Sequence, residues 1–242
     1  MRLMIIRHGD PDYAADSLTE KGRREAELLS RRLAPMEIRA FYCSPMGRAK
    51  DTAAPTLKKV RRRAEILPWL REFDVLISDE KTGEKRIPWD WLPADWTSVP
   101  EFYDRDRWST VPVMRRADVG KAADRVGAGL DEILKRHGYE RDGNLYRAVC
   151  PNRDTVVLFC HFGVECVMLG HLLGISPMIL WHGFCALPSS VTTLYTEERR
   201  RGTAYFRVAA FGDTAHLYAA GEPPAFTARF CETFDCAAER RD

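Results

Sequence analysis

Met4-Ile5-Ile6-Arg7-His8-Gly9 lies near the start of the chain, where a short apolar run ends in an arginine, a histidine and a glycine. A continuous apolar run is typical of a parallel strand covered on both faces, and Gly9 has no side chain to obstruct a turn after it. Open α/β sheets bind ligands at the carboxyl ends of their strands. An imidazole beside a guanidinium at such an end indicates chemistry on an anion, phosphate above all. A core strand followed by an ordinary polar turn fits the same residues, so the rest of the chain has to separate the two interpretations.

A second histidine follows the strongest strand signal in the chain. Thr155-Val156-Val157-Leu158-Phe159-Cys160 is rich in β-branched residues and apolar throughout, as a strand buried on both faces should be. His161 comes directly after it, and a helix through about Leu173 is predicted next. One histidine at a strand end is usually structural, but two that each follow an apolar strand favour a shared site.

A basic side chain is predicted at the start of the second helix. Ser44 is expected to cap that helix and Pro45 to occupy its first position, which places Arg48 in the first turn. Free amide groups and the positive end of the dipole make a helix N-terminus suitable for phosphate. A helix with a solvated arginine fits the same residues equally well.

A carboxylate is predicted near the end of another short strand. Ile66 and Leu67 indicate the strand, and Glu72 follows it closely. A glutamate in such a place is far more often a surface residue than a catalytic one. Burial beside Trp69 and Phe73 would raise the pKa of Glu72 and keep it protonated near neutral pH.

These elements predict an α/β fold with a single domain over residues 1–242 and three α/β/α layers, in which helices flank a mostly parallel sheet. Ser17 or Thr19 is expected to cap a first helix that runs to about Leu33. Over residues 75–117 the periodicity is poor, and tryptophans alternate with prolines and charges. We interpret this stretch as an aromatic-rich insertion over the carboxyl ends of the strands, either a lid or a small satellite core.

Composition and charge argue against several classes of protein. A net charge of +2 over 242 residues gives no general attraction to nucleic acid or to an anionic membrane. The seven cysteines are odd in number and form no C-x-x-C pair, which argues against a disulfide framework and a zinc site. The apolar stretches are too short or too interrupted for a signal peptide or a membrane span. We therefore expect a cytoplasmic protein without metal or cofactor, and the oligomeric state stays open, a homo-oligomer included.

Arg7-His8-Gly9, Ser44-Pro45-x-x-Arg48, Glu72 and His161 occur in this order, each near the end of a predicted strand. In this set the chain resembles the histidine phosphatase superfamily, in particular its phosphoglycerate mutase-like branch. The resemblance covers most of the chain outside the insertion. It implies that His8 is a nucleophile that becomes a phosphohistidine and that Arg7, Arg48 and His161 bind the phosphate.

The resemblance also implies roles for Glu72 and Thr19. Glu72 matches the general acid through a leucine-arginine-glutamate pattern, and Asp10 and Glu165 remain alternative acids. Leu18-Thr19-Glu20-Lys21-Gly22 is similar to another family pattern, which implies that Thr19 belongs to the phosphate site.

Three departures from the family bear on the activity. Mutases and several relatives carry a hydroxyl residue and an asparagine where this chain has Pro11 and Ala14, and a glycine where it has Phe162. These changes remove polar contacts and add bulk, so the predicted function is hydrolysis of a small-molecule phosphomonoester. A phosphoglycerate mutase-type phosphotransferase is the first alternative. A non-catalytic module that binds phosphorylated ligands or a protein is the second.

Overall fold

The computed structural model describes residues 1–78, 83–225, 227 and 230–236. The strands are β1 (Arg2–Arg7), β2 (Pro11–Asp12), β3 (Ser17–Leu18), β4 (Ala40–Cys43), β5 (Glu65–Ile66), β6 (Ile77–Ser78), β7 (Lys85–Arg86), β8 (Tyr139–Asp142), β9 (Leu145–Ala148), β10 (Thr155–Cys160), β11 (Val191–Arg200) and β12 (Thr203–Asp213). The helices are α1 (Glu20–Leu33), α2 (Gly47–Val60), α3 (Pro93–Thr97), α4 (Pro112–Arg116), α5 (Val119–Arg136), α6 (Phe162–Leu173), α7 (Pro177–Gly183) and α8 (Ala215–Tyr218). None of these helices is long and apolar enough to cross a bilayer.

Eight of the strands form the central sheet, in the order β5-β4-β10-β1-β11-β12-β9-β8. The first four run parallel to one another, and the other four extend the sheet in antiparallel fashion. β1 and β10 are neighbours, with Arg7 opposite Cys160 in the register. The strands that precede His8 and His161 therefore end side by side.

Helices cover both faces of the sheet, which confirms the predicted three-layer α/β architecture. Along β1, Met4 and Ile6 face a core shared with α1 and α2, while Leu3 and Ile5 face a second core that includes α5, α6 and α7. Successive side chains of a strand point to opposite faces, so a strand covered on both sides needs an apolar residue at every position. All six residues of β10 are buried for the same reason.

The start of α2 differs from the prediction. The helix begins at Gly47 with Met46 as its cap, so the assignment of Ser44 to the cap and of Pro45 to the first position is wrong. The Ser44 hydroxyl accepts a hydrogen bond from the Met46 amide in the turn before the helix. Arg48 still lies in the first turn, as expected.

The predicted insertion, residues 75–117, contains the small β6–β7 sheet and the short helices α3 and α4; residues 79–82 lie outside the described part of the chain. Its aromatic side chains are continuous with the main core. Phe102 and Trp108 are buried there, and Trp89, Trp91 and Trp96 pack against it. The insertion is thus anchored by its own aromatic residues.

Candidate active site

His8 and His161 lie next to each other at the carboxyl ends of β1 and β10. Their ring centroids are 5.1 Å apart, and the ring planes are tilted by 57°. Both side chains are buried, with 2% of His8 and 0% of His161 exposed. The parallel pairing of the strands causes this proximity, and the His8 amide donates to the Cys160 carbonyl between them.

The surroundings of His8 define its tautomer and keep it neutral. Its Nδ1 lies 2.8 Å from the Gly9 carbonyl oxygen. A carbonyl oxygen only accepts hydrogen bonds, so Nδ1 carries the proton and Nε2 keeps a free lone pair. Burial, and then the nearby charges of Arg7 and Arg48, lower the pKa of His8 to about 3. At neutral pH the ring is therefore unprotonated, which is the form a nucleophile requires.

The backbone around His8 is held by hydrogen bonds and by close packing. The Gly9 amide donates to Thr52 Oγ1 at 2.9 Å, and the Ser189 amide donates to the His8 carbonyl at 2.9 Å. A Cβ on Gly9 would lie only 2.9 Å from the Gly22 carbonyl oxygen. Close approach to α1, rather than freedom to turn, is what requires glycine at this position.

Arg7 and Arg48 place two buried positive charges beside the histidines. Each is 6% exposed. Arg7 donates to the Ala186 carbonyl at 2.5 Å, and its guanidinium lies 5.6 Å from the centroid of the Phe162 ring. Among the described residues, the Nε atoms of both arginines are buried without a hydrogen-bond partner. Buried donors are normally paired, so unpaired donors at one place are typical of a site for an anionic ligand.

His161 adds a third unpaired polar atom to this group. Its Nε2 lies 2.7 Å from Ser44 Oγ, whereas its Nδ1 is buried and has no partner in the described part of the chain. Burial, and then the neighbouring His8, Arg48 and Arg7, hold the pKa of His161 well below its usual range. A bound anion would oppose these effects and favour a proton on His161.

Sequence reasoning missed Asp16, which holds Arg48 in place. Asp16 Oδ1 accepts a hydrogen bond from Arg48 Nη1 at 2.7 Å, and Oδ2 accepts one from the Gly47 amide at 2.6 Å. Partial burial opposes the shift, but these bonds lower the pKa of Asp16. Asp16 has a φ of +45°, which aspartate tolerates better than most residues. No local signal points to it, because the ion pair joins residues 32 positions apart.

Glu72 lies half-buried beside the first turn of α6. Its Oε1 accepts hydrogen bonds from the Phe73 amide at 2.7 Å and from the Val164 amide at 3.1 Å. Burial raises the pKa of Glu72, while these bonds and the charges of Arg7 and Arg48 oppose part of the rise. A carboxyl group with a raised pKa is suited to proton transfer near neutral pH.

The two alternative acids have different surroundings. Glu165 is 1% exposed, and burial raises its pKa to about 7, although a hydrogen bond with Thr192 and the charge of Arg7 oppose the rise. Asp10 Oδ2 accepts a hydrogen bond from the Thr19 hydroxyl at 2.7 Å. Asp10 is thus engaged at the start of α1, whereas Glu165 remains an alternative.

Thr19, and not Ser17, caps α1. Its hydroxyl accepts a hydrogen bond from the Gly22 amide at 3.0 Å and donates to Asp10. These local bonds occupy the hydroxyl. Thr19 is thus the cap of α1, and the phosphate contact expected for it stays a prediction.

The chemistry of the site follows from its charges and its proton-carrying groups. Within the described ranges, no group of three or more histidine, cysteine, aspartate or glutamate side chains could hold a metal ion. Positive charge comes from Arg7 and Arg48, a free lone pair from His8, and a carboxyl group with a raised pKa from Glu72. Such a set can bind a phosphate ester, attack its phosphorus and protonate the leaving oxygen.

Comparison with known proteins shows similarity over most of the chain. A family model described as the histidine phosphatase superfamily, branch 1, matches residues 3–207. A probable phosphatase of Schizosaccharomyces pombe is 37% identical over 234 residues, which cover 90% of this chain and 95% of the yeast protein. Phosphoserine phosphatase 1 of Hydrogenobacter thermophilus is 24% identical over 215 residues, 83% of this chain and 89% of that protein.

The fold is shared with solved structures. A phosphoserine phosphatase mutant from Entamoeba histolytica, crystallised in complex with phosphoserine, superposes with a TM-score of 0.60. The match covers 89% of this chain and 98% of the other, at 16% sequence identity. At that identity the likeness concerns the fold alone.

Proposed function

This chain belongs to the histidine phosphatase superfamily, and on that basis we propose which of its residues carry out the reaction. The protein is a phosphoric monoester hydrolase that acts through a phosphohistidine intermediate. We assign nucleophilic attack to His8, phosphate binding to Arg7, Arg48 and His161, and proton donation to Glu72. The observation that supports this assignment most is the 5.1 Å separation of the two buried imidazoles beside two buried arginines.

Phosphate binding is supported by the polar atoms that lack partners. Nε of Arg7, Nε of Arg48 and Nδ1 of His161 are buried without a hydrogen-bond partner among the described residues. A planar guanidinium matches two phosphate oxygens and keeps its charge at every accessible pH. Asp16 holds Arg48 in advance, so little reorganisation is needed when the phosphate group arrives.

In the first step, Nε2 of His8 forms a bond to phosphorus while the ester P–O bond breaks. The electron pair of the broken bond stays on the leaving oxygen, which takes the proton of Glu72. The two guanidiniums stabilise charge on the other phosphate oxygens during the transfer. The step yields an alcohol, a phosphohistidine and an ionised Glu72.

In the second step, a water molecule attacks the phosphohistidine. Its oxygen bonds to phosphorus, and the electron pair of the broken P–N bond returns to Nε2 of His8. The Glu72 carboxylate takes a proton from the water, so Glu72 acts as a base here and as an acid before. Inorganic phosphate leaves, and the enzyme is restored.

Several further properties belong to the proposal. The reaction needs no metal ion, because the two arginines supply the charge that a cation would provide. The substrate is a small phosphomonoester, and the similarity to a phosphoserine phosphatase makes O-phosphoserine the first compound to test. No disulfide joins the cysteines in the described part of the chain, which supports a reducing compartment such as the cytoplasm. With a net charge of +2, neither nucleic acid nor a membrane is proposed as a partner.

His8→Ala tests the proposed nucleophile. With EDTA present, the variant should hydrolyse O-phosphoserine or an aryl phosphate at least about 10⁴-fold more slowly than the wild type, because the covalent route is lost. Wild-type protein denatured during turnover of a radiolabelled substrate should carry an acid-labile label, and His8→Ala should carry none. His137→Ala, at the opposite end of the strands, is the control and should remain active.

Three outcomes would contradict the proposal. Full activity of His8→Ala would show that another group attacks the phosphorus. Loss of wild-type activity in EDTA, with recovery on adding a divalent cation, would rule out a metal-free reaction. Interconversion of phosphoglycerate isomers without release of phosphate would identify a mutase instead.

A further inference from the structure

Trp89, in the insertion, is linked to the proposed acid through the backbone of one residue, Phe73. Its indole N–H donates to the Phe73 carbonyl at 2.8 Å. The Phe73 amide donates in turn to Glu72 Oε1 at 2.7 Å. Phe73 is therefore held by the insertion through its carbonyl group, while its amide group holds the acid.

The start of α6 packs closely against both groups. A Cβ on Gly163 would lie 2.6 Å from Glu72 Oε1 and 2.7 Å from Trp89 Nε1. The carboxyl group and the indole thus approach the backbone of the same glycine and leave no room for a side chain there. The Trp89 ring also meets the Phe162 ring edge-on, at a centroid distance of 6.1 Å. Two aromatic rings therefore lie on this side of the acid.

We propose that Trp89 is a positioning residue for proton donation: its N–H fixes the backbone of Phe73, whose amide holds Glu72, and its ring keeps water from the carboxyl group. The inference rests on the proposed function, in which Glu72 is the acid. Oε1 of Glu72 already accepts two amide hydrogen bonds. The transferable proton therefore resides on Oε2, and fixing the Phe73 backbone fixes the direction in which this proton points.

This role has most effect on substrates with a poor leaving group. The alkoxide that leaves an alkyl phosphate needs a proton as the P–O bond breaks, whereas 4-nitrophenolate spreads its charge over the ring and departs without one. The insertion, through Trp89, therefore adapts the enzyme to alkyl phosphomonoesters.

Trp89→Phe separates the hydrogen bond from the ring, because phenylalanine keeps an aromatic side chain without the N–H. The measured quantity is kcat/KM, which includes cleavage of the ester bond and excludes breakdown of the phosphohistidine. The expected loss is about tenfold for a glycerol phosphate and less than about twofold for 4-nitrophenyl phosphate. In Trp89→Ala the loss of kcat/KM for the alkyl substrate should increase to about a hundredfold.

Trp91→Phe is the matched control. Trp91 belongs to the same insertion, and its Nε1 also donates to a backbone carbonyl, that of Pro88, at 3.0 Å. Proline has no amide N–H with which to hold a carboxylate. Trp91→Phe should therefore leave kcat/KM for both substrates within about twofold of the wild type.

Glu72→Gln separates failure of this inference from failure of the proposed function. If Glu72 is the acid, Glu72→Gln loses far more activity on the alkyl substrate than on the aryl one. If it does so and Trp89→Phe affects both substrates equally, or neither, the positioning role is wrong and the assignment of the acid stands. If Glu72→Gln affects both substrates equally, both claims are overturned.

A pH profile gives a second readout that a merely structural role would not change. Burial raises the pKa of Glu72, and water entering in Trp89→Ala, which removes the ring, should lower it again. The basic limb of kcat/KM for the glycerol phosphate should therefore move to lower pH in Trp89→Ala and stay in place in Trp91→Phe. An unmoved limb in Trp89→Ala would contradict the claim that the ring excludes water.

Discussion

Arginines lie at both ends of the parallel strands, but those at the two ends differ in burial and in hydrogen-bond partners. At the carboxyl ends, Arg7 and Arg48 are buried, and within the described residues their Nε atoms have no partner. At the amino ends, Arg39 and Arg62 are exposed: Arg39 pairs with Asp154 at 3.7 Å, and Arg62 donates to the carbonyls of residues 38 and 39. The amino ends also line an open groove of about 640 Å³.

The difference shows that burial without a hydrogen-bond partner, and not the presence of arginine alone, distinguishes the carboxyl ends. Exposed charges at the amino ends are satisfied by water and by neighbouring groups, and ion pairs there contribute little to stability. A buried polar group without a partner costs free energy, so a protein retains it only where something compensates the cost. At the carboxyl ends, we propose that the phosphate group of the substrate provides that compensation.

Replacing one arginine at each end of the strands should give the largest difference in kcat between two variants. Arg48→Ala removes a preorganised donor to the phosphate and should lower kcat by about 10²–10³-fold. Arg62→Ala removes an exposed side chain far from the histidines and should leave kcat within about twofold. Steady-state hydrolysis of O-phosphoserine or 4-nitrophenyl phosphate measures both. Equal losses in the two variants would mean that burial at the carboxyl ends has no special part in the reaction.

Stability should depend on pH through His8. Its pKa of about 3 in the folded protein lies below the ordinary value of 6.5, so the unfolded chain binds a proton that the folded protein does not. The low pKa of folded His8 therefore decreases the free energy of unfolding by about 2 kcal/mol as the pH falls from 8 to 5. His8→Asn should reduce the loss of unfolding free energy between these pH values by that amount, measured by urea denaturation.

A histidine from the amino ends serves as the comparison for this measurement. His137 is half-buried and hydrogen-bonded to the Tyr42 hydroxyl at 3.0 Å. Burial lowers its pKa too, but the partly exposed ring should contribute less to the pH dependence. If His137→Asn reduces the pH dependence as much as His8→Asn does, burial at the carboxyl ends is not what depresses the pKa of His8.

The smallest expected effect separates capping from phosphate binding at Thr19. Thr19→Ala removes the side chain that caps α1 and should lower the free energy of unfolding by about 1 kcal/mol. Because the hydroxyl is occupied by Gly22 and Asp10, KM for the phosphate ester should stay unchanged. A rise in KM of several-fold, with unchanged stability, would instead support a role of Thr19 in phosphate binding.

Local signals predict most of the elements that carry the site. Apolar runs predict β1 and β10, and an apolar stripe at helical spacing predicts α1, because these patterns depend on residues close together in the chain. The boundary of α2 is less well predicted. The Ser44 hydroxyl contacts His161, which lies far away in the sequence, and it accepts only a turn hydrogen bond from Met46.

The residue types at the strand ends and their order along the chain predict the chemistry of this protein through a family resemblance: two imidazoles, two guanidiniums and a carboxyl group indicate phosphate chemistry before any contact is known. Only the tertiary structure decided the burial, the pKa values and the orientation of those groups. Asp16 contacts Arg48, and Trp89 contacts the carbonyl of Phe73, the residue after Glu72, from loops whose sequence shows no periodicity. The physical reason is that pairing the strands and packing the insertion join distant parts of the chain, and burial, pKa and proton direction depend on those contacts.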